Sequence, residues 1–167
     1  DGTIKLAVKP TSGTTPKNAL ESLRMGFAPV PPMNPKAPST SFQTPKRDFR
    51  VDLLTTSTGK PGGVEFIQGL NSYAERVLFM DYLLTNPIRI PLLGPRKAVL
   101  VNTPSPERFA LHKLLVSENR PTVMASKSEK DRSQALEVLQ VLLEENPDSL
   151  EAAMLDLVRR GKSWRNT

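Results

Sequence analysis

The sequence contains no cysteine and a single histidine, His112, among its 167 residues. The lack of cysteine excludes disulfides and thiolate metal sites, and it is typical of a cytoplasmic protein. One histidine excludes a zinc site built from several imidazoles. No apolar run approaches the roughly 20 residues that a membrane helix needs, and no signal peptide opens the chain. A soluble protein without a membrane partner is therefore expected.

Two catalytic signatures are also missing. Gly59-Lys-Pro-Gly-Gly63 lacks the Ser or Thr and the following helix of a phosphate-binding loop, and no Ser/His/Asp set is recognisable. The chain begins at Asp1 rather than at Met. We therefore expect a fragment or a processed product whose N-terminal part is missing.

What the chain does have is a basic, globular composition. Hydrophobic residues make up 38% and charged residues 24% of it, which is typical of a folded domain. The net charge of +6 and the pI near 9.8 favour anionic partners such as nucleotides or nucleic acid. The alternative is that the charge has no specific role, because many soluble proteins are basic.

The first forty residues predict short elements joined by a proline-rich connector. Thr3–Lys9 alternates as a strand does, and Thr15 is placed to cap a helix that should end at Gly26. Six prolines between Pro29 and Pro45 predict an extended connector with room for two short strand pieces.

Asp48–Thr55 gives the strongest strand pattern. Period two divides its central residues between two faces, one with Phe49, Val51 and Leu53, the other with Arg50, Asp52 and Leu54. A mid-strand carboxylate among apolar residues is costly unless it is paired or binds a metal. Asp52 is therefore the first candidate for a catalytic carboxylate and metal ligand. The alternative is an ion pair with Arg50 or a lysine at a sheet surface.

The middle of the chain predicts a helix and then a hairpin. Ser72-Tyr-Ala-Glu75 is a capping-box pattern, which predicts a helix through Tyr82 that ends at Asn86-Pro87. Two short strands follow, Ile88–Leu92 and Ala98–Val101, with a turn at Gly94-Pro95 between them.

The remainder of the chain is predicted to be helical. One helix starts at Pro106, a second starts at a Ser126 or Ser128 cap, and the last starts after Asn146-Pro147. The sequence thus predicts an α+β fold: a small mixed β-sheet with flanking helices over residues 1–102, then an all-helical part over residues 103–167.

Basic side chains accompany the apolar ones on the helix that starts at Pro106. Helical spacing places Lys113 and Arg120 on one stripe, about 10 Å apart along the axis, with His112 at its edge. Such a pair either meets acids such as Asp131 and Glu118, or contacts an anionic ligand, and both alternatives stay open. His112 is expected to be a packed, hydrogen-bonded residue rather than a base.

Lys127 and Lys130 lie in the first turns of the following helix, where cations oppose the helix dipole. Their position favours an anionic partner. A solvated helix face is the alternative.

Several segments occur together in one order along the chain. They are the strand Phe49–Thr55, the helix Phe79–Leu83, Pro106-x-Arg-Phe-Ala-x-His-Lys-Leu114, Lys130-Asp-x-x-Gln-Ala135 and Gly161-x-x-Trp164. This set resembles a family of bacterial nucleotidyltransferase-fold proteins, distant relatives of polymerase-β-type transferases and of AbiEii-like abortive-infection toxins. The resemblance covers about residues 27 to 165, and the Arg-Phe-Ala-x-His-Lys-Leu run is its most specific part.

The resemblance implies transfer of a nucleoside monophosphate from an NTP, with Mg²⁺ held by three strand carboxylates. Asp52 matches the third carboxylate, while the paired Asp-x-Asp is not found in this sequence and is expected before residue 1. Lys113, Arg120, Lys130 and Asp131 match basic motifs that lie near the nucleotide in related toxins. With Arg50 they form the candidate nucleotide-binding set, in which His112 and Asp131 support the cations.

A non-enzymatic function is the alternative. A basic module of this kind would bind nucleic acid or a protein partner such as an antitoxin. A degenerate transferase fold that is kept for structure is a third interpretation.

Overall fold

The computed structural model of the chain describes residues 2–7, 15–32, 34–57, 62–120 and 122–161. Within these ranges the strands are β1 (Gly2–Ala7), β2 (Ala28–Pro29), β3 (Ser41–Gln43), β4 (Phe49–Ser57), β5 (Val64–Ile67), β6 (Ser72–Leu78), β7 (Ile88–Leu93) and β8 (Ala98–Thr103). The α-helices are α1 (Pro16–Ser22), α2 (Met80–Leu83), α3 (Pro106–Glu118), α4 (Ala125–Glu145) and α5 (Pro147–Arg159). None of the helices in the described ranges is long and apolar enough to cross a membrane.

Contacts divide the chain into two compact units, Asp1–Leu78 and Phe79–Thr167. The change from mixed to helical structure comes later, after β8, as the α+β prediction required. The fold class is thereby confirmed. The division into domains at residue 102 stays a prediction.

Strand β4 organises the sheet of the first unit. The sheet runs β2-β3-β4-β6-β5, and β1 also pairs with β4 in parallel. Strand β6 pairs in parallel with the second half of β4, from Leu54 to Ser57. The apolar side chains of β4 form a core with those of α1, β3, β5 and β6, namely Leu20, Phe42, Val51, Leu53, Ile67 and Ala74. The period-two prediction for β4 is thus confirmed.

The predicted start of α1 is confirmed, and its predicted end is wrong. The Asn18 backbone N–H donates to Thr15 Oγ1 at 3.2 Å, as expected of an N-cap. The helix ends at Ser22, four residues before Gly26, because Arg24 already has a φ of 53°. Gly26 follows with a φ of +71°, and a Cβ there would lie 3.3 Å from the Pro45 side chain. The glycine therefore serves the turn beyond the helix.

The helix predicted from the capping box at Ser72 is wrong, because Ser72–Leu78 is strand β6. It pairs with β4 on one side and with β5, which the sequence did not predict, on the other. Ala74 is fully buried between these strands. Pairing with β5 over Ser72–Glu75 and with β4 over Glu75–Leu78 gives the backbone of this stretch hydrogen-bond partners in two strands, which outweighs the local capping pattern. Within the stretch that was predicted to be helical, α2 (Met80–Leu83) is the part that forms an α-helix.

The second unit contains the β7–β8 hairpin and the helices α2 to α5. The hairpin is antiparallel and has the predicted turn at Gly94-Pro95. Helices α4 and α5 pack with α2 and α3 around Tyr82, Leu111, Leu142, Leu150 and Ala153. The predicted caps of α4, Ser126 and Ser128, are wrong, since a 3-10 turn at Thr122–Met124 leads directly into the helix at Ala125.

Candidate functional site

The face of β4 opposite the core carries Arg50 and Asp52. Pairing with β3 sets Ser41 directly beside Asp52, and pairing with β1 sets Lys5 in register on the other side. Asp52 Oδ1 lies 2.7 Å from Arg50 Nε and accepts a hydrogen bond from Ser41 Oγ at 2.7 Å. Arg50 Nη2 donates to Ser41 Oγ at 3.0 Å. The three polar side chains form one closed network, which we call the β4 polar face.

The β4 polar face contains the ion pair that the sequence left open as an alternative. The Asp52 side chain is 16% exposed, whereas the Arg50 side chain is 41% exposed. The carboxylate is thus held at the sheet surface by one guanidinium and one hydroxyl. A guanidinium has five N–H donors, and this network engages Arg50 through Nε and Nη2. A fixed, partly exposed guanidinium of this kind suits the oxygens of an anion.

Magnesium needs several oxygen ligands in near-octahedral geometry. Within the described residues, no group of three or more His, Cys, Asp or Glu side chains could hold a metal ion. Asp52 supplies one carboxylate, whose Oδ1 already accepts from Arg50 and Ser41. The described residues by themselves therefore do not fit a resident magnesium ion.

A second group of predicted site residues meets between α3 and α4. Lys113 and Arg120 of α3 both contact Asp131 of α4: Lys113 Nζ donates to Oδ1, and Arg120 Nη2 donates to Oδ2 at 2.6 Å. Lys113 Nζ also lies 5.5 Å from the centroid of the Phe109 ring. We call Lys113, Arg120 and Asp131 the Asp131 cluster.

The Asp131 cluster is largely withdrawn from solvent. The Asp131 side chain is 10% exposed, and those of Lys113 and Arg120 are 23% and 27% exposed. Burial alone raises the pKa of Asp131, but hydrogen bonds from Lys113 and Arg120 outweigh it and hold the pKa below its ordinary value. The carboxylate therefore stays ionised and balances the two cations.

The other predicted residues of the helical part lie outside this cluster. Glu118 pairs with Arg132 at the surface rather than with Lys113 or Arg120. Lys130 is exposed, and His112 is buried in α3. Trp164 lies outside the described residues. Asp52 and the Asp131 cluster belong to different compact units.

The sequence did not predict a third network, around Tyr82. This side chain is fully buried, and its hydroxyl donates to the Ala153 carbonyl at 3.0 Å. The guanidinium carbons of Arg108 and Arg160 lie 4.7 and 5.2 Å from the centroid of its ring. Burial raises the pKa of Tyr82 to about 12, so the phenol keeps its proton at ordinary pH.

Asp156 connects the two arginines of this network. Its Oδ2 lies 2.8 Å from Arg108 Nη1 and 3.3 Å from Arg160 Nη2. The hydrogen bond from Arg108 holds the pKa of Asp156 below its ordinary value. Arg160 also forms an ion pair with Asp81, in which Nη1 lies 2.8 Å from Oδ2. These contacts join α2, α3 and α5. The only sequence signal for this network was Arg108, which is the arginine of the Arg-Phe-Ala motif.

A shallow cleft of about 430 Å³ lies beside this network. Its lining is mostly polar and includes Glu107, Arg108, Ser149 and Asp156. Ser149 Oγ donates to Glu107 Oε1 at 2.7 Å. The polar groups that line the cleft are thus largely paired with one another, which is the arrangement of a structural network.

Comparison with known proteins shows a similarity that covers most of the chain. A family model described as nucleotidyltransferase matches residues 1–159. No curated protein and no solved structure matches the sequence. The family model spans nearly all of both compact units.

Proposed function

The chain belongs to a nucleotidyltransferase family, and we propose that it transfers a nucleoside monophosphate from a nucleoside triphosphate to an acceptor. The observation that supports this most directly is the family match over residues 1–159. A net charge of +6 agrees with a polyanionic substrate. The closer resemblance to abortive-infection toxins stays a prediction.

We assign the chemistry to the β4 polar face. Arg50 is half exposed and is fixed through Nε by Asp52, so its outer donors are oriented for phosphate oxygens. Asp52 holds the guanidinium in place and keeps it from rotating away. Fixed cations of this kind stabilise the charge that develops on phosphate oxygens during transfer.

Magnesium is kept as a proposed cofactor. Asp52 is the residue proposed to contact it, and further carboxylates from outside the described residues would be needed to complete the ligand set. Arg50 and Asp52 contact each other directly, with Arg50 Nε 2.7 Å from Asp52 Oδ1. The proposal for Arg50 therefore does not depend on the metal.

We propose a bracing role for Lys113 and Arg120. Both cations contact the carboxylate of Asp131, which removes much of their attraction for an outside anion. Their removal is expected to affect stability more than nucleotide affinity. Lys130, which is exposed, remains a candidate for nucleotide contact.

Replacing Asp52 by asparagine is expected to lower nucleotidyl transfer about 100-fold, equivalent to about 2.7 kcal/mol of transition-state stabilisation. The amide keeps the size of the side chain but loses the charge that holds Arg50 and that a metal would need. The measurement is transfer of a labelled nucleoside monophosphate by the full-length protein. Asp48→Asn is the matched control, because Asp48 is exposed directly before the same strand and its replacement should leave the rate within about twofold.

The proposal fails if the Asp52→Asn protein is folded by circular dichroism and keeps full activity. The two roles of Asp52 are separated by Arg50→Lys and a magnesium titration. A metal ligand predicts that Asp52→Asn raises the Mg²⁺ concentration needed for half-maximal rate. A residue that only positions Arg50 predicts that both variants lose similar activity with an unchanged Mg²⁺ requirement.

A second candidate function is a module that binds nucleic acid without catalysis. It is favoured by Lys127 and Lys130, which are exposed in the first turns of α4, where cations oppose the helix dipole. Lys127→Glu/Lys130→Glu should then reduce the slope of log K against log salt by about two in a titration with labelled duplex. Lys36→Glu/Lys46→Glu is the control, because it changes the net charge by the same amount in the other compact unit. It should reduce the slope by less than Lys127→Glu/Lys130→Glu does. Binding that is absent, or independent of salt, rules this function out.

A further inference from the structure

The β7–β8 hairpin exposes an apolar surface. One of its faces carries Ile88, Ile90, Leu92, Val99 and Val101, as the pairing register shows. Ile90 and Leu92 are 39% and 57% exposed, and Leu93 on the other face is 78% exposed. A two-stranded hairpin that buries neither face has little to stabilise it in water. Its apolar side chains therefore favour a surface that covers them.

The charged side chains of the hairpin are all basic. Arg89, Arg96 and Lys97 are basic, and no acidic residue occurs between Asp81 and Glu107. Arg96 and Lys97 lie at the tip, where the Gly94 N–H donates to the Lys97 carbonyl at 2.9 Å. The surface that fits this hairpin is apolar and acidic.

The edge of β7 is blunted by Pro91. Gly94 and Lys97 form a hydrogen-bonded pair, so the alternation of an antiparallel ladder makes Pro91 and Leu100 a non-hydrogen-bonded pair. The nitrogen of Pro91 then faces away from β8, where a free N–H would otherwise recruit another strand. The apolar face of the hairpin is thus better suited to docking than the β7 edge.

The same chain carries a surface of the complementary kind on its last two helices. Between Arg132 and Arg159 there are six acidic residues and no basic residue. On α5 one stripe at helical spacing is exposed, and it consists of Glu151, Met154, Leu155 and Val158. The three apolar members are 46–49% exposed. The core-facing stripe of α5, Leu150, Ala153 and Leu157, is a different one.

We propose that the β7–β8 hairpin of one copy packs on the acidic, apolar stripe of α5 in a second copy. The apolar side chains cover one another, and Arg96 and Lys97 approach the acids of α4 and α5. If each copy places its hairpin on α5 of the other, the hairpin and the stripe of both copies are covered. This arrangement favours a closed dimer over an open chain. The proposal is independent of nucleotidyl transfer.

Two other acidic partners fit the hairpin less well. Duplex nucleic acid would satisfy Arg96 and Lys97 but would leave the apolar faces of both strands uncovered. An anionic membrane would cover the hairpin but would leave the α5 stripe exposed. A second copy covers both surfaces at once, and it brings opposite charges together.

The test is the molecular mass of the chain in solution as a function of concentration, measured by sedimentation velocity and light scattering. The wild-type protein should approach twice its monomer mass of 18.4 kDa. Arg96→Glu/Lys97→Glu should raise the dissociation constant of the dimer at least about tenfold, since it places acids against acids. Lys36→Glu/Lys46→Glu is the control for net charge and should dimerise as the wild type does.

A charge exchange makes the test specific for these two surfaces. Glu144→Lys/Glu151→Lys alone should also dimerise at least about tenfold more weakly than the wild type, because its basic helices repel a wild-type hairpin. An equimolar mixture with Arg96→Glu/Lys97→Glu should dimerise, since both contacts of the mixed pair unite opposite charges. A wild-type chain that stays monomeric, or a hairpin variant that dimerises as tightly as the wild type, overturns the proposal. A monomer that cosediments with anionic vesicles or with duplex DNA overturns it in favour of that partner.

Discussion

Replacing Tyr82 by alanine is expected to lower the free energy of unfolding by about 4 kcal/mol, the largest effect among the substitutions proposed for this protein. The side chain is fully buried in the core of the second unit, and its removal leaves a cavity among α2, α3 and α5. It also takes away the ring that faces the guanidinium groups of Arg108 and Arg160. Urea unfolding followed by circular dichroism at the helical band measures the change.

Two further variants separate the contributions of Tyr82. Tyr82→Phe keeps the ring and the arginine contacts but loses the hydrogen bond to Ala153, which should cost about 1 to 1.5 kcal/mol. Tyr73→Ala is the matched control, because Tyr73 is 40% exposed and its ring meets that of Phe66 in a tilted contact, with centroids 5.0 Å apart. It should cost about 1 kcal/mol. If Tyr82→Ala cost no more than Tyr73→Ala, the proposed role of Tyr82 as the centre of this core would be wrong.

The parts of the fold that the sequence predicted depend on neighbours along the chain. Strand β4 follows from period two over Asp48–Thr55, and the β7–β8 hairpin follows from two short apolar runs around Gly94-Pro95. Helix α3 follows from Pro106 at its first turn. In each case the residues that decide the structure lie within one element.

The parts that the sequence missed depend on distant partners. Strand β6 opens with a capping-box pattern, and only its pairing with β4 and β5 makes it a strand. Strand β5 has no strong pattern of its own, since two of its four residues are exposed. The pairing with β4 has no local signal, because the two strands are parallel and are joined by a connection of many residues. The pairing with β5 is antiparallel across the short turn Gln68–Leu70, directly before the capping-box pattern that predicted a helix start instead.

In the candidate site, too, the contacts between neighbours along the chain were predicted and those between distant residues were missed. Arg50 and Asp52 were expected on one face because they are two residues apart, whereas Ser41 joins them from another strand, 11 residues away. Lys113 and Arg120 were expected to share a stripe because they are seven residues apart. Tyr82 meets Arg108 and Ala153 across separations of 26 and 71 residues, which no local pattern predicts.

Replacing Asp131 by asparagine is expected to destabilise the second unit by about 3 kcal/mol near neutral pH. The carboxylate is the partner of both Lys113 and Arg120, and all three groups are mostly buried. An amide leaves two cations without an opposite charge. Arg120 Nε is already buried without a hydrogen-bond partner within the described residues, so the cluster depends strongly on the remaining contacts.

The cost of Asp131→Asn should depend on pH in a defined direction. The pKa of Asp131 is lower in the folded protein than the ordinary value of 3.8 that applies in the unfolded chain. As the pH falls from the unfolded pKa towards the folded pKa, Asp131 of the unfolded chain binds a proton first. The wild type therefore loses the stabilisation that it has at higher pH. Below the folded pKa, neither protein has the charge. The unfolding free energies of the two proteins should therefore converge in acid.

Glu118→Gln is the matched control for this prediction, because Glu118 also forms an ion pair with α4, through Arg132, but at the surface. Its side chain and that of Arg132 are about half exposed, so the change should cost at most about 0.5 kcal/mol. Adding Lys113→Met to Asp131→Asn should recover part of the loss, since it removes one unpaired cation. If the difference between wild type and Asp131→Asn stayed constant from neutral pH into acid, the charge of Asp131 would not be what holds α3 and α4 together.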